Sequence, residues 1–82
     1  MPHFLLHDVL AILRLYFTPQ QFVNLANNPE PPPRGFGVRH RNICITLLHT
    51  GENVPYYIVF ISKARTPIET FFVTKHMVFP QQ

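Results

Sequence analysis

The sequence contains no tryptophan, three glycines and a single cysteine in 82 residues. Because Cys44 has no second thiol to pair with, an intramolecular disulfide is excluded, and we expect a reducing, cytoplasmic location. Charged residues are also sparse, at 13% of the chain, with a formal net charge of +3. This balance favours anionic partners mildly and is well short of a nucleic-acid-binding signature by itself.

The motifs that usually reveal a cofactor or a catalytic nucleophile are missing. The sequence has no glycine-rich phosphate loop, no cluster of metal ligands and no serine nucleophile elbow. His3 and His7 have helical spacing and are followed by Asp8, but no further ligand lies nearby. We therefore expect neither a metal nor a cofactor.

The hydrophobic stretch Phe4–Phe17 is too short to cross a bilayer, which takes about 20 residues. It also lacks a basic leader and a small-residue cleavage site, so we predict a buried helix and no membrane partner. One small sheet is too narrow to cover its wide apolar surface. This predicts either a second helix alongside it or a homodimer contact, for which the candidate residues are Leu6, Leu10, Leu13 and Phe17.

A second helix is predicted over Pro19–Asn27. Thr18 and Gln21 have the spacing of a capping box, and a proline follows Thr18 at the first helical position. Phe17 and Phe22 occupy the flanking hydrophobic staple positions. Residues 29–34 (PEPPPR) match the PxxPxR pattern of polyproline ligands, although a stiff connector between helices and sheet is the preferred interpretation.

The remainder of the chain is organised around Tyr56–Val78, where two β-branched and aromatic runs flank a proline-containing turn. We predict strands at Asn42–His49, Tyr56–Ser62 and Ile68–Met77, with a possible edge strand at Gly35–Arg41. The fold class is α+β: one domain over residues 1–82, with two N-terminal helices packed on one face of a three- to four-stranded antiparallel meander. Phe60 and Phe71 are the predicted core residues of the central hairpin.

Two groups of polar residues are candidates for function. Arg34, Arg39, His40 and Arg41 form the densest cationic patch, and we expect Arg39 and Arg41 to share one strand face and grip phosphates. A charge-guarded edge strand explains the same pattern equally well.

The second group is catalytic if the chain cleaves RNA. A metal-free ribonuclease needs an acid–base pair and cations for the developing phosphorane charge. The candidates are His76, Thr74, Lys63 and Arg65. Thr70, Thr74 and His76 are expected to share one face of the last strand, although each is also an ordinary solvent-facing residue of a meander.

The order of these elements, with a helix ending near Asn-Pro, an arginine-bearing strand and the meander YYIVFISKARTPIETFFVTKH, resembles a superfamily of small ribonucleases. It includes RelE-like toxins, barnase-like phage domains and colicin-type ribonucleases, and the resemblance covers about Thr18–Val78. It implies an antiparallel sheet whose concave face binds RNA, with variable His, Arg, Lys, Tyr or Thr side chains performing the chemistry.

Two functions therefore remain open. The first is a small, dimeric interaction protein of phage or mobile-element type that binds a protein or RNA. The second is a metal-independent endoribonuclease that cleaves RNA by attack of the 2′-hydroxyl. A nuclease should bring histidine and arginine together in a concave cleft, whereas an interaction protein should show an apolar patch and scattered histidines.

Overall fold

The computed structural model describes residues 4–28, 35–49, 51 and 54–81. These residues form helices and strands in the following order: α1 (Leu6–Tyr16), α2 (Pro19–Asn27), β1 (Phe36–His40), β2 (Ile43–Leu48), β3 (Tyr57–Lys63), β4 (Thr66–Val73) and α3 (Lys75–Val78). The four strands pair antiparallel in sequence order, so the sheet is a meander with β1 and β4 at its edges. The predicted α+β class is confirmed, while the proline-rich connector lies outside the described residues.

The start of α2 matches the prediction. The Gln21 amide donates to the Thr18 hydroxyl at 3.3 Å, and the Thr18 amide donates to the Gln21 side chain at 2.8 Å. The rings of Phe17 and Phe22 meet edge to face across this cap, 6.4 Å apart. The cap satisfies amides that a helix terminus leaves free, and the ring contact fixes the angle at which the chain enters α2.

The core lies between the helices and one face of the sheet, called the inner face here. Alternate residues of β2 and β3 point into it, and six of them are buried: Ile43, Ile45, Leu47, Tyr57, Val59 and Ile61. Val9 and Leu13 of α1 and Phe22 and Leu25 of α2 are buried against them. The period of two in the strands and of three to four in the helices thus places both sets in one apolar layer.

Phe22 is the centre of this core. Its ring lies 4.7 Å from the ring of Tyr57 and 5.3 Å from that of Phe79, which follows α3. The Tyr57 hydroxyl donates to the Phe22 carbonyl at 2.6 Å. One residue of α2 therefore contacts the central strand β3 and the C-terminal segment at once.

A short third helix replaces the predicted end of the last strand. β4 stops at Val73, and the Thr74 hydroxyl accepts from the Met77 amide at 3.0 Å, so Thr74 caps α3. The Arg14 guanidinium donates to the carbonyl of Val78, where the positive side chain complements the helix C-terminus. The extended prediction to Met77 was wrong because this local cap and the full burial of Val78 favour a helical turn.

The prediction that Phe60 is a core residue was also wrong. Phe60 lies on the opposite face of the sheet with 38% of its surface exposed, whereas Phe71 packs against the core. Both faces of Tyr56–Ser62 carry large apolar residues, so alternation alone does not identify the inner one.

The rest of the chain covers Val9 and Leu13 of α1 and leaves Leu6, Leu15 and Tyr16 exposed, so part of the wide apolar surface of this helix stays uncovered in the described structure. Leu13 and Phe17 are buried in the core, so neither side chain is available for the predicted dimer contact. Leu10 is half-buried and Leu6 is exposed. The contact of α1 with α3, a helix that the sequence did not predict, accounts for part of this cover.

Truncating the two phenylalanines should separate the core from the outer surface. We expect Phe22→Ala to lower the free energy of unfolding by about 3–5 kcal/mol, because it leaves a cavity among three rings. Phe60→Ala should cost below about 2 kcal/mol, since its ring is only partly removed from water. Urea denaturation measures both, and equal losses would contradict the assignment of faces.

Stability should fall at alkaline pH because burial raises the pKa of Tyr57 above its usual 10.0. The unfolded chain releases the phenolic proton at lower pH than the folded chain does. The contribution is therefore fully present below about pH 10 and is lost as the pH rises through the folded-state pKa. Thermal melts should show a shallower decline for Tyr57→Phe than for the wild type above that pH, and parallel declines would contradict this.

Candidate nucleic-acid interface

The face of the sheet opposite the helices, called the outer face here, is built from three cross-strand rows. The strand register gives their members: Leu48, Ile58 and Phe72 in the first; Gly37, Thr46, Phe60 and Thr70 in the second; Arg39, Cys44, Ser62 and Pro67 in the third. Neighbouring rows are about 6.6–6.8 Å apart, the rise of two residues in a strand. The face thus changes from apolar in the first row to cationic beside the third.

Two phenylalanine rings stand exposed on this face. Phe72 is 61% exposed and Phe60 is 38% exposed. Phe60 pairs with Thr70 and Phe72 with Ile58, so the two residues are diagonal neighbours on adjacent strands, a relation in which residues lie about 7–8 Å apart. An aromatic pair at this spacing offers two adjacent flat apolar surfaces.

A cleft of about 460 Å³ opens beside the third row, and it is strongly cationic. Its lining residues are Arg39, Asn42, Cys44, Lys63, Ala64 and Arg65. The meander explains this grouping, because the β1–β2 and β3–β4 turns lie at the same end of the sheet. Three positive side chains thus line one concavity to which no carboxylate of the described residues contributes.

The β3–β4 turn holds its side chains in an unusual backbone conformation. Lys63 pairs with Thr66, and the two residues between them have positive φ, 50° at Ala64 and 67° at Arg65. Positive φ at both central residues is the requirement of a type I′ hairpin turn, which normally recruits Asn-Gly. The sequence predicted a turn here, but Ala-Arg carries no signal of this strained geometry.

The predicted phosphate-binding residues are divided by the structure. Arg39 lines the cationic cleft, but Arg41 lies in the β1–β2 turn at φ 57° and lines a different cavity beside Asp8. The prediction that these two arginines share one strand face was wrong, because β1 ends at His40. The His40 ring is held by the Tyr16 hydroxyl at 2.8 Å, and Arg34 lies outside the described residues.

The predicted catalytic residues are also separated. Lys63 and Arg65 lie at the turn where β4 begins, whereas Thr74 and His76 follow its last residue. The eight residues of β4 span about 23–27 Å. Thr70, Thr74 and His76 do not share a strand face, because Thr74 caps α3 and His76 lies exposed within it.

The four described histidines are scattered. His7 contacts Asp8 at 3.0 Å on exposed α1, and His40 bonds Tyr16. His49 is buried against Tyr57, and its Nε2 donates to the Val54 carbonyl at 2.8 Å, while its Nδ1 has no hydrogen-bond partner among the residues that the structure describes. None of the four lines the cationic cleft.

Sequence reasoning identified the three cations of the cleft but not the phenylalanine pair on the same face, whose exposure depends on which face the helices cover.

Within residues 4–28, 35–49, 51 and 54–81, no three His, Cys, Asp or Glu side chains are grouped to hold a metal ion. Over the same residues no helix has the length and apolarity needed to span a bilayer. His3, one of the residues considered as a metal ligand, lies outside them.

Relieving the strained turn should stabilise the fold. We expect Arg65→Gly to raise the free energy of unfolding by about 1 kcal/mol, because glycine adopts positive φ without a steric penalty. Thr66→Gly, one residue further along in β4, should instead lower it by about 0.5–1 kcal/mol. Urea denaturation of both variants provides the comparison, and destabilisation by Arg65→Gly would contradict the turn geometry.

Comparison with known proteins gives no family for this fold and cleft. The chain matches no protein-family model, no curated protein and no solved structure at a significant level.

Proposed function

We propose that this protein binds single-stranded RNA across the outer face of its sheet. The observation that carries the proposal is that two exposed phenylalanine rings share the outer face with the row beside which a cleft lined by three cations opens, Phe60 one row away from it and Phe72 two rows away. Phosphate and base are the two chemical parts of a nucleotide, and this surface offers a matching group for each.

Stacking of bases on the phenylalanine pair accounts for the aromatic half of the site. Phe60 and Phe72 expose ring surface. Unlike tyrosine and tryptophan, phenylalanine has no O–H or N–H group that needs a hydrogen-bond partner. Such rings accept any base, and each stacked base contributes about 1–3 kcal/mol. Exposed rings suit an unpaired strand, because the bases of a duplex are already stacked on each other.

Charge accounts for the other half. Arg39, Lys63 and Arg65 attract phosphates, and the two acidic residues of the described chain do not oppose them at the cleft. Glu69 lies opposite Ile61 on the inner side of β4, and Asp8 belongs to α1. Three of the six lysines and arginines that the structure describes therefore line one cleft, where they favour an anionic polymer.

Binding is better supported than cleavage. The cations of the cleft have no histidine among the lining residues, and His76 is separated from them by the length of β4. The resemblance to small ribonucleases is the reason for testing RNA before other polymers. The single free Cys44 is in keeping with a reducing, cytoplasmic setting.

Matched phenylalanine variants test the stacking surface. Phe72→Leu and Phe60→Leu keep an apolar side chain but remove the flat ring, so each should weaken binding of mixed-sequence single-stranded RNA by about 5- to 100-fold. Phe71→Leu makes the same change at the neighbouring residue on the inner side and should leave the affinity unchanged. Fluorescence anisotropy measures all three, and equal affinities for all variants would overturn the proposal.

A second pair of variants tests the charge. Lys63→Gln should weaken RNA binding and flatten its dependence on salt by about one counterion. Lys75→Gln removes the same charge beyond the other end of β4 and should alter neither quantity. A parallel titration with single-stranded DNA establishes whether the 2′-hydroxyl matters.

The same samples separate the other possible functions. RNA incubated with the protein in EDTA should stay intact, and cleavage that depends on His76 would replace the binding proposal by the ribonuclease one. Light scattering on the free protein reports whether it is a homodimer. Self-association abolished by Phe72→Leu, together with no RNA binding, would show that the outer face serves a second copy of the chain instead.

A further inference from the structure

We propose, building on the RNA-binding function above, that the cationic cleft holds a terminal phosphate monoester, so that the protein prefers single-stranded RNA with a phosphorylated end. The ligand is defined by its chemistry, a phosphate attached through one ester bond. Either the 5′ or the 3′ end of a strand can supply it.

The charge of the cleft favours a phosphate monoester. An internal phosphodiester has one negative charge, whereas a phosphate monoester carries about 1.5 to 2 at neutral pH and has three strong acceptor oxygens. Arg39, Lys63 and Arg65 converge on a single cleft with no carboxylate among its lining residues. Three cations match a dianion with several acceptors better than they match one oxygen pair of a continuous backbone.

The position of the cleft at the end of the sheet suits the end of an RNA strand. It lies where the sheet ends, lined by residues of the β1–β2 and β3–β4 turns and of the strand ends beside them. The row that contains Phe60 is about 6.6–6.8 Å from the row that contains Arg39. A strand whose base stacks on Phe60 therefore brings its next phosphate to the cleft, at the edge of the surface that the sheet provides.

The backbone of the β3–β4 turn is strained beside the cleft. Ala64 and Arg65 hold positive φ at a cost of about 1–2 kcal/mol each, where Asn-Gly would form the same turn without strain. Strained residues of this kind concentrate at ligand-binding sites, where the conformation aims a side chain. Here the strained turn contributes the Arg65 side chain to the lining of the cleft.

The test compares one short RNA sequence in three forms: with a 5′-phosphate, with a 3′-phosphate, and with hydroxyls at both ends. We expect one phosphorylated form to bind about tenfold more tightly than the hydroxyl form, the worth of an added charge-assisted contact. Arg65→Gln and Lys63→Gln should abolish this ratio, and Arg65→Lys should retain part of it. Lys75→Gln should leave the ratio intact, and a thermal melt verifies that each variant is folded.

Changing the pH gives an independent reading of the same contact. A phosphate monoester loses its second proton at about pH 6. The affinity for phosphorylated RNA relative to the hydroxyl form should therefore grow between about pH 5 and pH 7.5, as the dianion forms. None of the described histidines lines the cleft, and the ratio to the hydroxyl form removes any effect of pH that the RNA forms share.

The failures of the two proposals are distinguishable. Equal binding of all three RNA forms would overturn the terminal-phosphate proposal and leave RNA binding standing. A preference that survives Arg65→Gln and Lys63→Gln in folded protein would overturn the placement of the phosphate in this cleft. Absence of binding to every form would overturn both proposals together.

Discussion

The packing of Phe22 against Tyr57 is the interaction on which the other features depend. It joins α2 to the central strand through two rings and a buried hydrogen bond, and Phe79 brings the C-terminal segment to the same point. With α1, α2 and α3 committed to the inner face, the apolar side chains that β3 and β4 direct outward retain exposed surface. The outer face is therefore exposed because the helices pack on the inner face.

That outer surface has a direction because a meander orders its turns. Odd connections fall at one end of the sheet and the even connection at the other, so Arg39 of β1 meets Lys63 and Arg65 of the β3–β4 turn across β2. The phenylalanine pair lies further along the same strands, away from the cations. A site with an aromatic end and an anion-binding end follows from four short strands, although its residues are far apart in the sequence.

The sequence predicted those elements whose signals are local. The start of α2 follows from Thr18, Pro19 and Gln21. β2 and β3 lie within one residue of the strands that β-branched and aromatic runs predicted, and β1 forms where an edge strand was considered, whereas β4 ends four residues before the predicted Met77. The face of Phe60 was not predictable, because β3 is apolar on both sides and only tertiary packing selects the inner one. His76 is separated from the cleft by the length of β4, because it follows the strand end that is remote from Arg65. The helix cap at Thr74 was not predicted, because a continuous apolar strand pattern concealed it.

The central claim, that the outer face is a surface for RNA, is tested most directly by an NMR titration of the labelled protein with single-stranded RNA. We expect the ring resonances of Phe60 and Phe72 and the amide resonances around Arg39 and Arg65 to shift together, while the amide resonances of the buried α1 residues Val9 and Leu13 stay in place. Shifts confined to the helices, or none at any RNA concentration that the sample tolerates, would contradict it.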